Sequence, residues 1–300
     1  MSGGREELLH ALRPSAFAIA YRMLGSVAEA EDVVQDALIR VNVALDRGER
    51  IESPRAYVAT VTTRLAIDQL RSARVRRETY VGDWLPEPLV GEPPEDPGTD
   101  DSLSLAFLVL LESLSPEQRA VLLLRDVFDY GYDEIAAIVG KTEDNARQLA
   151  VRARRHVEQR RPRFEASRAE RDRLAERFFA AARDGDLTGL ERLLAADVVL
   201  VGDGGGKAPA LARALHGRNR VARTLQAWAR AAARSGGTGL RRVEVNGQPG
   251  ALILDGERLI GVMALEIADG EVKGVKSIVN PEKLGHIGAT GDLESLLRRR

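Results

Sequence analysis

The chain has 300 residues, of which 44% are hydrophobic and 30% charged, a composition typical of a globular protein with two or three domains. It contains no run of eighteen apolar residues and no signal-peptide core, so we expect a cytoplasmic protein without a membrane partner. The absence of cysteine excludes disulfides, thiol catalysis and cysteine metal sites, and the four scattered histidines have no metal-ligand spacing, so no metal and no cofactor is expected. Because the net charge is only −1, any affinity for DNA must come from local clusters of basic residues.

Two amphipathic helices are predicted at the start of the chain. Apolar residues recur at helical spacing over residues 5–24 and again over residues 27–45. The polar side of the second helix is mostly acidic and carries Glu29, Glu31, Asp32, Gln35 and Asp36. This acidic stripe is either a solvated face or a docking surface for a basic partner.

A third helix is predicted from Ser53-Pro54 to about Arg77, and its far end is strongly basic. The arginines there are Arg71, Arg74, Arg76 and Arg77, and Asp68 precedes them. Basic residues at a helix C-terminus commonly compensate the helix dipole. Four arginines in seven residues exceed that need, so we expect this end of the helix to contact phosphates.

Residues 81–104 are rich in proline and acidic residues, so they are expected to be an extended linker that does not fold alone. A plain spacer is the neutral interpretation. Trp84, which lies among prolines, is expected to dock on another part of the protein because an indole ring is poorly placed in water.

Residues 115–161 predict a helix-turn-helix. Ser115 and Gln118 form a capping box at the first helix, where Pro116 takes a position that needs no N–H donor. Gly140 ends the second helix, and Thr142 caps the third. The third helix buries small residues and exposes Asn145, Arg147, Gln148, Arg152, Arg154 and Arg155. Arginine and asparagine or glutamine are the side chains that read guanine and adenine edges, so this helix is predicted to bind DNA. The alternative is a helical hairpin with a solvated basic face.

Beyond residue 168 the pattern predicts an α+β domain. Two helices, a strand that ends at a glycine turn and a helix over 217–234 precede strands at 240–245, 251–254, 258–267 and 271–279. Asn246-Gly247, Asp255-Gly256 and Asp269-Gly270 separate these strands and predict hairpins. We therefore expect an α+β cone with a curved antiparallel sheet.

Residues 5–160 resemble regions 2 and 4 of the extracytoplasmic-function bacterial sigma factors. The resemblance lies in EAEDVVQDALIRV at 29–41, in SPRAYVATVTTRLAIDQLRSARVRRE at 53–78 and in the helix-turn-helix. It implies two all-α domains, region 2 at 1–80 and region 4 at 105–163, joined by the linker 81–104, which would thread near the polymerase active centre. Leu149 departs from the family, which often has a basic residue there, so the −35 sequence is not predicted.

The resemblance also assigns expected roles to three groups of residues. The polymerase-binding group, which would dock on the clamp coiled coil of the largest subunit, is Asp32, Gln35 and Asp36. The group expected at the −10 promoter element is Asp68, Arg71, Arg74, Arg76 and Arg77. The group expected at the −35 element is Asn145, Arg147, Gln148, Arg152 and Arg155.

Residues 168–290 resemble the SnoaL-like domain, a small cup fold. WLPEP at 84–88, DGGGK at 203–207 and NPEKL at 280–284 resemble the marks of sigma factors that carry this domain as a fused regulator. We therefore expect regulatory contacts within the chain, between the C-terminal domain and the sigma domains or the linker. The residues predicted to make them are Trp84, Pro86, Asp203, Lys207, Asn280, Pro281 and Lys283.

The sequence thus predicts a sigma factor, not an enzyme, that binds core RNA polymerase and promoter DNA and is tuned by its C-terminal domain. Two alternatives remain open. The first is a DNA-binding regulator that senses a small molecule in the cone. The second is a cyclase or isomerase fused to a DNA-binding module, in which Asp203, Lys207, His216 and Glu244 would line a cup and perform acid–base chemistry. The glycines at 204–206 do not form a nucleotide-binding loop, because Ala208 replaces the Ser or Thr of a P-loop.

Overall fold

The computed structural model describes residues 3–91, 102–158, 167–236 and 238–298, with the side chains of 73–78 excepted. The described residues divide into two compact units. The first contains 3–78, 102–103 and 107–158, and the second contains 79–91, 104–106, 167–236 and 238–298. Among the helices of these described ranges, none is long and apolar enough to cross a membrane.

The helices of the first 158 residues begin and end close to the predicted positions. They are α1 (Gly3–Leu24), α2 (Val27–Asp46), α3 (Pro54–Glu78), α4 (Leu105–Leu111), α5 (Pro116–Asp126), α6 (Tyr132–Val139) and α7 (Glu143–Glu158). Helices α1, α2 and α3 pack against one another, and the fully buried Ile19, Val34 and Val58 each come from a different one of them. The short α4 is an addition to the predicted elements.

The helix-turn-helix of α5 to α7 forms as its caps predict. The Ser115 hydroxyl accepts a hydrogen bond from the Gln118 amide at 3.2 Å, and the Gln118 side chain accepts one from the Ser115 amide at 3.0 Å. Gly140 ends α6 with a φ of 65°, a conformation that costs glycine little. Small side chains on α7, among them Ala146 and Ala150, let this helix pack closely on α5 and α6.

The C-terminal unit places helices against one six-stranded sheet. The helices are α8 (Arg168–Asp184), α9 (Leu187–Leu193), α10 (Arg218–Ser235) and α11 (Leu293–Arg298). The strands are β1 (Leu194–Asp203), β2 (Leu215–His216), β3 (Thr238–Val245), β4 (Gln248–Asp255), β5 (Arg258–Ala268) and β6 (Glu271–Ile278), in the order β2-β1-β6-β5-β4-β3. Phe178, Leu190, Leu225, Leu265 and Val275 belong to the core between the helices and the sheet.

The sheet is mixed. An antiparallel sheet was expected, but one pair of strands is parallel. Strands β3 to β6 form consecutive antiparallel hairpins, and positive φ values at Asn246, Gly256 and Asp269 mark the predicted turns. Strand β1, however, runs parallel to β6. The turn dipeptides define only the hairpins, whereas β1 reaches the sheet from a helix and has no tight turn to β6, so its direction was not encoded in those signals. The register shifts within the β4–β5 and β5–β6 pairs, an irregularity of the kind that a β-bulge produces where it bends a sheet.

Candidate functional site

The acidic stripe on α2 is accessible. Asp32, Gln35 and Asp36 are exposed, and the carboxylates of Asp32 and Asp36 form no ion pair with any described residue. The opposite side of α2 is buried through residues such as Val33 and Ala37, which fixes the stripe toward solvent. Two unpaired carboxylates and an amide on one helical face form a surface suited to a basic partner.

The basic end of α3 is described in part. Asp68 and Arg71 are exposed, and the Arg71 guanidinium lies 3.3 Å from Asp68 and 2.6 Å from Glu117, which begins α5. The hydrogen bond and charge of Glu117 raise the pKa of Arg71. Burial would raise the pKa of Glu117, but the Arg71 hydrogen bond and other favourable interactions outweigh it and lower that pKa. The side chains of Arg74, Arg76 and Arg77 lie outside the described residues.

A second arginine of α3 also contacts the helix-turn-helix. Arg64 donates to the carbonyl of Ile138 at 2.9 Å and to that of Ala137 at 2.8 Å, at the end of α6. Together with the Arg71–Glu117 pair, these bonds hold the side of α3 against α5 and α6 within the first unit. Arg64 and Arg71 of α3 are therefore already engaged in contacts within the first unit.

The outer face of α7 carries the side chains predicted to read DNA. All five are exposed, and they are Asn145, Arg147, Gln148, Arg152 and Arg155. Arg147 pairs with Glu143 one turn earlier and lies 4.7 Å from the centre of the Tyr132 ring, which orients its guanidinium without burying it. Arg154, by contrast, is held by hydrogen bonds to Asp126, which raise its pKa, and belongs to the scaffold.

Two buried arginines hold the first unit together, and the sequence analysis missed both. Arg119 donates to the carbonyls of Met23 and Leu108 and to the Glu112 carboxylate, at 2.7, 3.1 and 2.6 Å. Burial lowers the pKa of Arg119 to about 9, so its guanidinium remains charged at neutral pH. Arg22 donates to Ser102 and lies 5.4 Å from the centre of the Phe128 ring. The signal that could have revealed them is their place in otherwise apolar helical stretches, YRML and QRAVLLL.

The motif residues of the C-terminal unit meet the linker in one buried network. Asp203 is completely buried, and its carboxylate accepts hydrogen bonds from the Tyr80 hydroxyl at 2.6 Å, the Leu85 amide at 2.7 Å and the Lys283 ammonium at 2.7 Å. Lys283 also donates to the Leu85 carbonyl, and the Asn280 amide donates to the Tyr80 hydroxyl at 3.0 Å. We call these five residues the linker clasp.

Aromatic contacts complete the linker clasp. The Lys283 ammonium lies 4.8 Å from the centre of the Tyr80 ring and 4.4 Å from that of Trp84. Cation–π attraction of this kind is strengthened by exclusion of water. Burial, and then the hydrogen bond and charge of Asp203, raise the pKa of Tyr80, so its hydroxyl stays protonated and keeps donating to the carboxylate.

The glycine turn gives the linker room to approach. Gly205 and Gly206 have φ values of 56° and 71°, where a side chain would be strained. A Cβ atom at Gly205 would also lie 2.7 Å from the Tyr80 hydroxyl oxygen, and one at Gly206 would lie 3.2 Å from Val81. The DGGGK turn thus provides the Asp203 carboxylate and lets residues 80–81 pack closely against its glycines.

The linker continues beyond the linker clasp along the edge strand β3. The Pro88 carbonyl lies 2.8 Å from a ring nitrogen of His286. Leu89 exchanges hydrogen bonds with Asn246, both at 2.9 Å, and the Gly91 amide donates to the Glu244 carbonyl at 3.2 Å. Residues 80–91 are therefore held along their length by the C-terminal unit.

The remaining motif residues lie around the linker clasp. Pro86 is buried, and Pro281 begins a short 3-10 helix that presents Lys283. Lys207 is exposed and pairs with Glu282 at 3.1 Å, so it lies outside the buried network. The structure thus brings Trp84, Asp203, Asn280 and Lys283 together and leaves Lys207 at the surface.

The four residues considered for acid–base chemistry do not line a common cavity within the described part of the chain. Asp203 belongs to the linker clasp, Lys207 pairs with Glu282, His216 is exposed on β2, and Glu244 pairs with Arg168. An apolar cavity of about 280 Å³ lined by Trp228, Ile253 and Leu296 contains none of them. No cluster of His, Asp and Glu suited to a metal occurs among the described side chains.

Comparison with known proteins identifies the two helical regions. Residues 8–76 match the family model "Sigma-70 region 2", and residues 104–157 match "Sigma-70, region 4". The chain is 38% identical over 292 residues to the ECF RNA polymerase sigma factor SigJ of Mycobacterium tuberculosis, covering 91% of each chain. It is 32% identical over 279 residues to the probable ECF RNA polymerase sigma factor SigI of the same species, covering 90% of this chain and 91% of that one.

A solved structure extends the similarity to the whole fold. The crystal structure of the M. tuberculosis extracytoplasmic function sigma factor SigJ superposes with a TM-score of 0.74 at 35% identity, covering 92% of this chain and 96% of that one. The match includes the α+β domain as well as the helical regions, so the SnoaL-like extension is part of the shared architecture. The chain therefore belongs to the extracytoplasmic-function sigma factors, which bind core RNA polymerase and promoter DNA to initiate transcription.

Proposed function

We propose that this sigma factor binds its partners through three surfaces and that its C-terminal domain regulates its activity. The acidic stripe of α2 docks on polymerase, α3 and α7 contact the −10 and −35 elements, and the C-terminal domain controls activity by holding the linker. The observation that carries the proposal is the buried Asp203 carboxylate, which binds Tyr80, Leu85 and Lys283 at once.

The polymerase surface is assigned to Asp32, Gln35 and Asp36. Their exposure and the lack of ion-pair partners for the two carboxylates among the described residues support the assignment. Carboxylates that are already paired would lose those pairs on binding, whereas these lose only water. The clamp of the largest polymerase subunit is the partner that the family resemblance implies.

The promoter surfaces are assigned to the ends of α3 and α7. Asn145, Arg147 and Gln148 in the first turns of α7 would read base edges, while Arg152 and Arg155 would contact phosphates. On α3, Asp68 and Arg71 are the described members of the −10 set, and Arg74, Arg76 and Arg77 complete it. Because Glu117 pairs with Arg71, DNA must compete with α5 for this guanidinium.

The linker clasp is assigned a regulatory role. If the linker threads near the polymerase active centre, as the resemblance implies, residues 80–91 must leave the C-terminal domain first. A buried ion pair and its hydrogen bonds resist that release, so the linker clasp restrains transcription. The C-terminal domain is assigned no catalytic role, since Asp203 is committed to the linker.

Reconstituted transcription tests this proposal. Core polymerase with the full chain and with a variant lacking residues 168–300 should transcribe a promoter library to different extents, and both proteins should capture core polymerase. Indistinguishable transcription would remove the regulatory role. Failure of both proteins to capture core polymerase would remove the assignment to α2 as well.

A further inference from the structure

A second cavity, which is polar, lies in the C-terminal unit between α8 and the β3–β4 hairpin. Its volume is about 250 Å³, and the charged side chains that line it are Arg168, Arg171, Asp172, Arg242 and Glu244. Its apolar walls come from Ala175, Phe179, Val243 and Pro249. None of the five residues of the linker clasp lines it.

Arg171 is buried in this cavity, and no carboxylate of a described residue forms an ion pair with it. Only 9% of its surface is exposed, and its Nη1 group donates a hydrogen bond to Gln248 Oε1 at 3.1 Å. Arg171 Nε and Gln248 Nε2 are both buried and have no acceptor among the described residues. Turning the amide of Gln248 would not help, because its NH2 group would then face the guanidinium donors.

Two adjacent buried donors without an acceptor are unusual. Buried polar atoms are nearly always hydrogen-bonded, and buried arginines are usually paired with an anion. The neighbouring arginines already have carboxylates, since Arg168 pairs with Glu244 and Arg242 lies 3.4 Å from Glu176. Arg171 is therefore the guanidinium of this cavity that an anion would satisfy.

The charge of the lining indicates what kind of anion fits. Arg168 and Arg242 are paired with carboxylates, so Arg171 offers the one positive charge of the lining that lacks an ion pair among the described residues, which suits a monoanion. The second negative charge of a phosphate dianion would be repelled by the carboxylates of Asp172 and Glu244. The planar fork of an arginine matches a carboxylate, and the apolar walls suit an organic body.

We propose that this cavity binds a small organic carboxylate, with its carboxylate on Arg171 and its apolar body against Phe179 and Pro249. The volume lies just below the range of drug-sized sites, so the ligand is about as large as benzoate. The Glu244 carbonyl accepts the Gly91 amide, so the bound molecule would lie beside the docked linker. The site itself depends on neither the promoter nor the polymerase assignment.

Calorimetric titration of the full chain with benzoate, benzamide and inorganic phosphate tests the proposal. Benzoate should bind, and benzamide and phosphate should bind at least about tenfold more weakly, a difference typical of losing a charge-assisted bond. Arg171→Met should weaken benzoate binding about tenfold, whereas Arg183→Met, an exposed arginine on the same helix, should leave it unchanged. Equal binding of benzoate and benzamide, tighter binding of phosphate, or unchanged binding by a folded Arg171→Met variant would overturn it.

A measurement on the unaltered protein covers the case in which Arg171→Met fails to fold. In a 15N-labelled full chain, the Nε–H resonance of Arg171 should shift on addition of benzoate and stay in place with benzamide. The exposed variant Arg242→Gln, which removes a lining charge without touching a buried group, should weaken benzoate binding. A resonance that does not move with benzoate would contradict the proposal.

Discussion

The described charged residues to which we assign functions are exposed in the first unit of this sigma factor and buried in the second. In the first unit, the side chains assigned to polymerase and to the −35 element are exposed, and the contacts of Arg147 with Glu143 and with the Tyr132 ring leave it accessible. In the second unit, Asp203 and Lys283 are buried and their polar atoms are engaged with the linker. Exposed charges remain available to a partner, whereas buried charges are stable only with the partner already in place.

This difference explains why the linker is part of the C-terminal domain. Without residues 80–85, the Asp203 carboxylate would lose two of its three donors, and the Lys283 ammonium would lose a carbonyl and two aromatic rings. The buried charges of the second unit thus bind a segment of the same chain, whereas the exposed charges of α2 and α7 are assigned to other molecules. We therefore expect substitutions in the buried network to have larger effects than substitutions on the exposed helices.

The largest effect is expected from Asp203→Asn, which leaves the Lys283 ammonium buried without a carboxylate. Breaking a buried pair in this way costs about 3–5 kcal/mol. Chemical unfolding followed by tryptophan fluorescence measures it, because Trp84 and Trp228 both belong to the second unit. Lys207→Met is the matched control, since its ion pair with Glu282 is exposed and worth at most about 1 kcal/mol. Equal losses in the two variants would contradict the comparison.

Next in size is charge reversal on the acidic stripe. Asp36→Lys should weaken binding to core polymerase by roughly 2 kcal/mol, because like charges facing each other in an interface cost that much or more. Glu49→Lys, at an exposed position just after α2, reverses the same charge outside the stripe. Affinity measured by fluorescence titration should distinguish the two, and an identical loss would show that only net charge matters.

An effect of similar size is expected on α7. Arg147→Ala should weaken binding of −35 DNA by about 1–3 kcal/mol if its guanidinium makes a bidentate base contact. Arg183→Ala removes the same charge from an exposed position on α8. Anisotropy titrations at fixed salt compare the variants, and unchanged binding by Arg147→Ala would discard its assignment.

The smallest effect is a pH dependence from Tyr80. Its raised pKa means that the folded protein holds the phenolic proton more tightly than the unfolded chain does. Its contribution to stability is therefore complete below the ordinary tyrosine pKa of about 10 and is lost as the pH rises above it. Unfolding at pH 8 and pH 10.5 should show a larger loss for the parent protein than for Tyr80→Phe. Equal losses would exclude this role for the hydroxyl.

Local signals made most of the fold predictable. The capping box at Ser115, Gly140 at the end of α6 and the Asn246-Gly247 turn each specify their own element, and all three appear as predicted. The parallel pairing of β1 with β6 depends instead on contacts between distant residues, and no local pattern encodes it. The short elements β2, α4 and α11 lack the length for a periodic signal.

The functional residues that belong to a sequence motif were predicted, whereas those that only packing brings together were not. Asp203, Asn280 and Lys283 were identified through their motifs and belong to the linker clasp, and Trp84, identified through a third motif, contacts Lys283. Tyr80 lies outside those motifs, and only the fold brings it to Asp203. Arg171 was missed for a related reason, since it lies in the polar stretch RAERDR, where the sequence gives no sign that one arginine is buried.

Transcription by the full-length Asp203→Asn variant is the most direct test of the linker clasp. Core polymerase reconstituted with the parent chain, with Asp203→Asn and with Lys207→Met would transcribe the same promoter library. We expect Asp203→Asn to transcribe more than the parent, Lys207→Met to match the parent, and all three proteins to capture core polymerase equally. Transcription by Asp203→Asn equal to or below that of the parent, with polymerase capture unchanged, would contradict it.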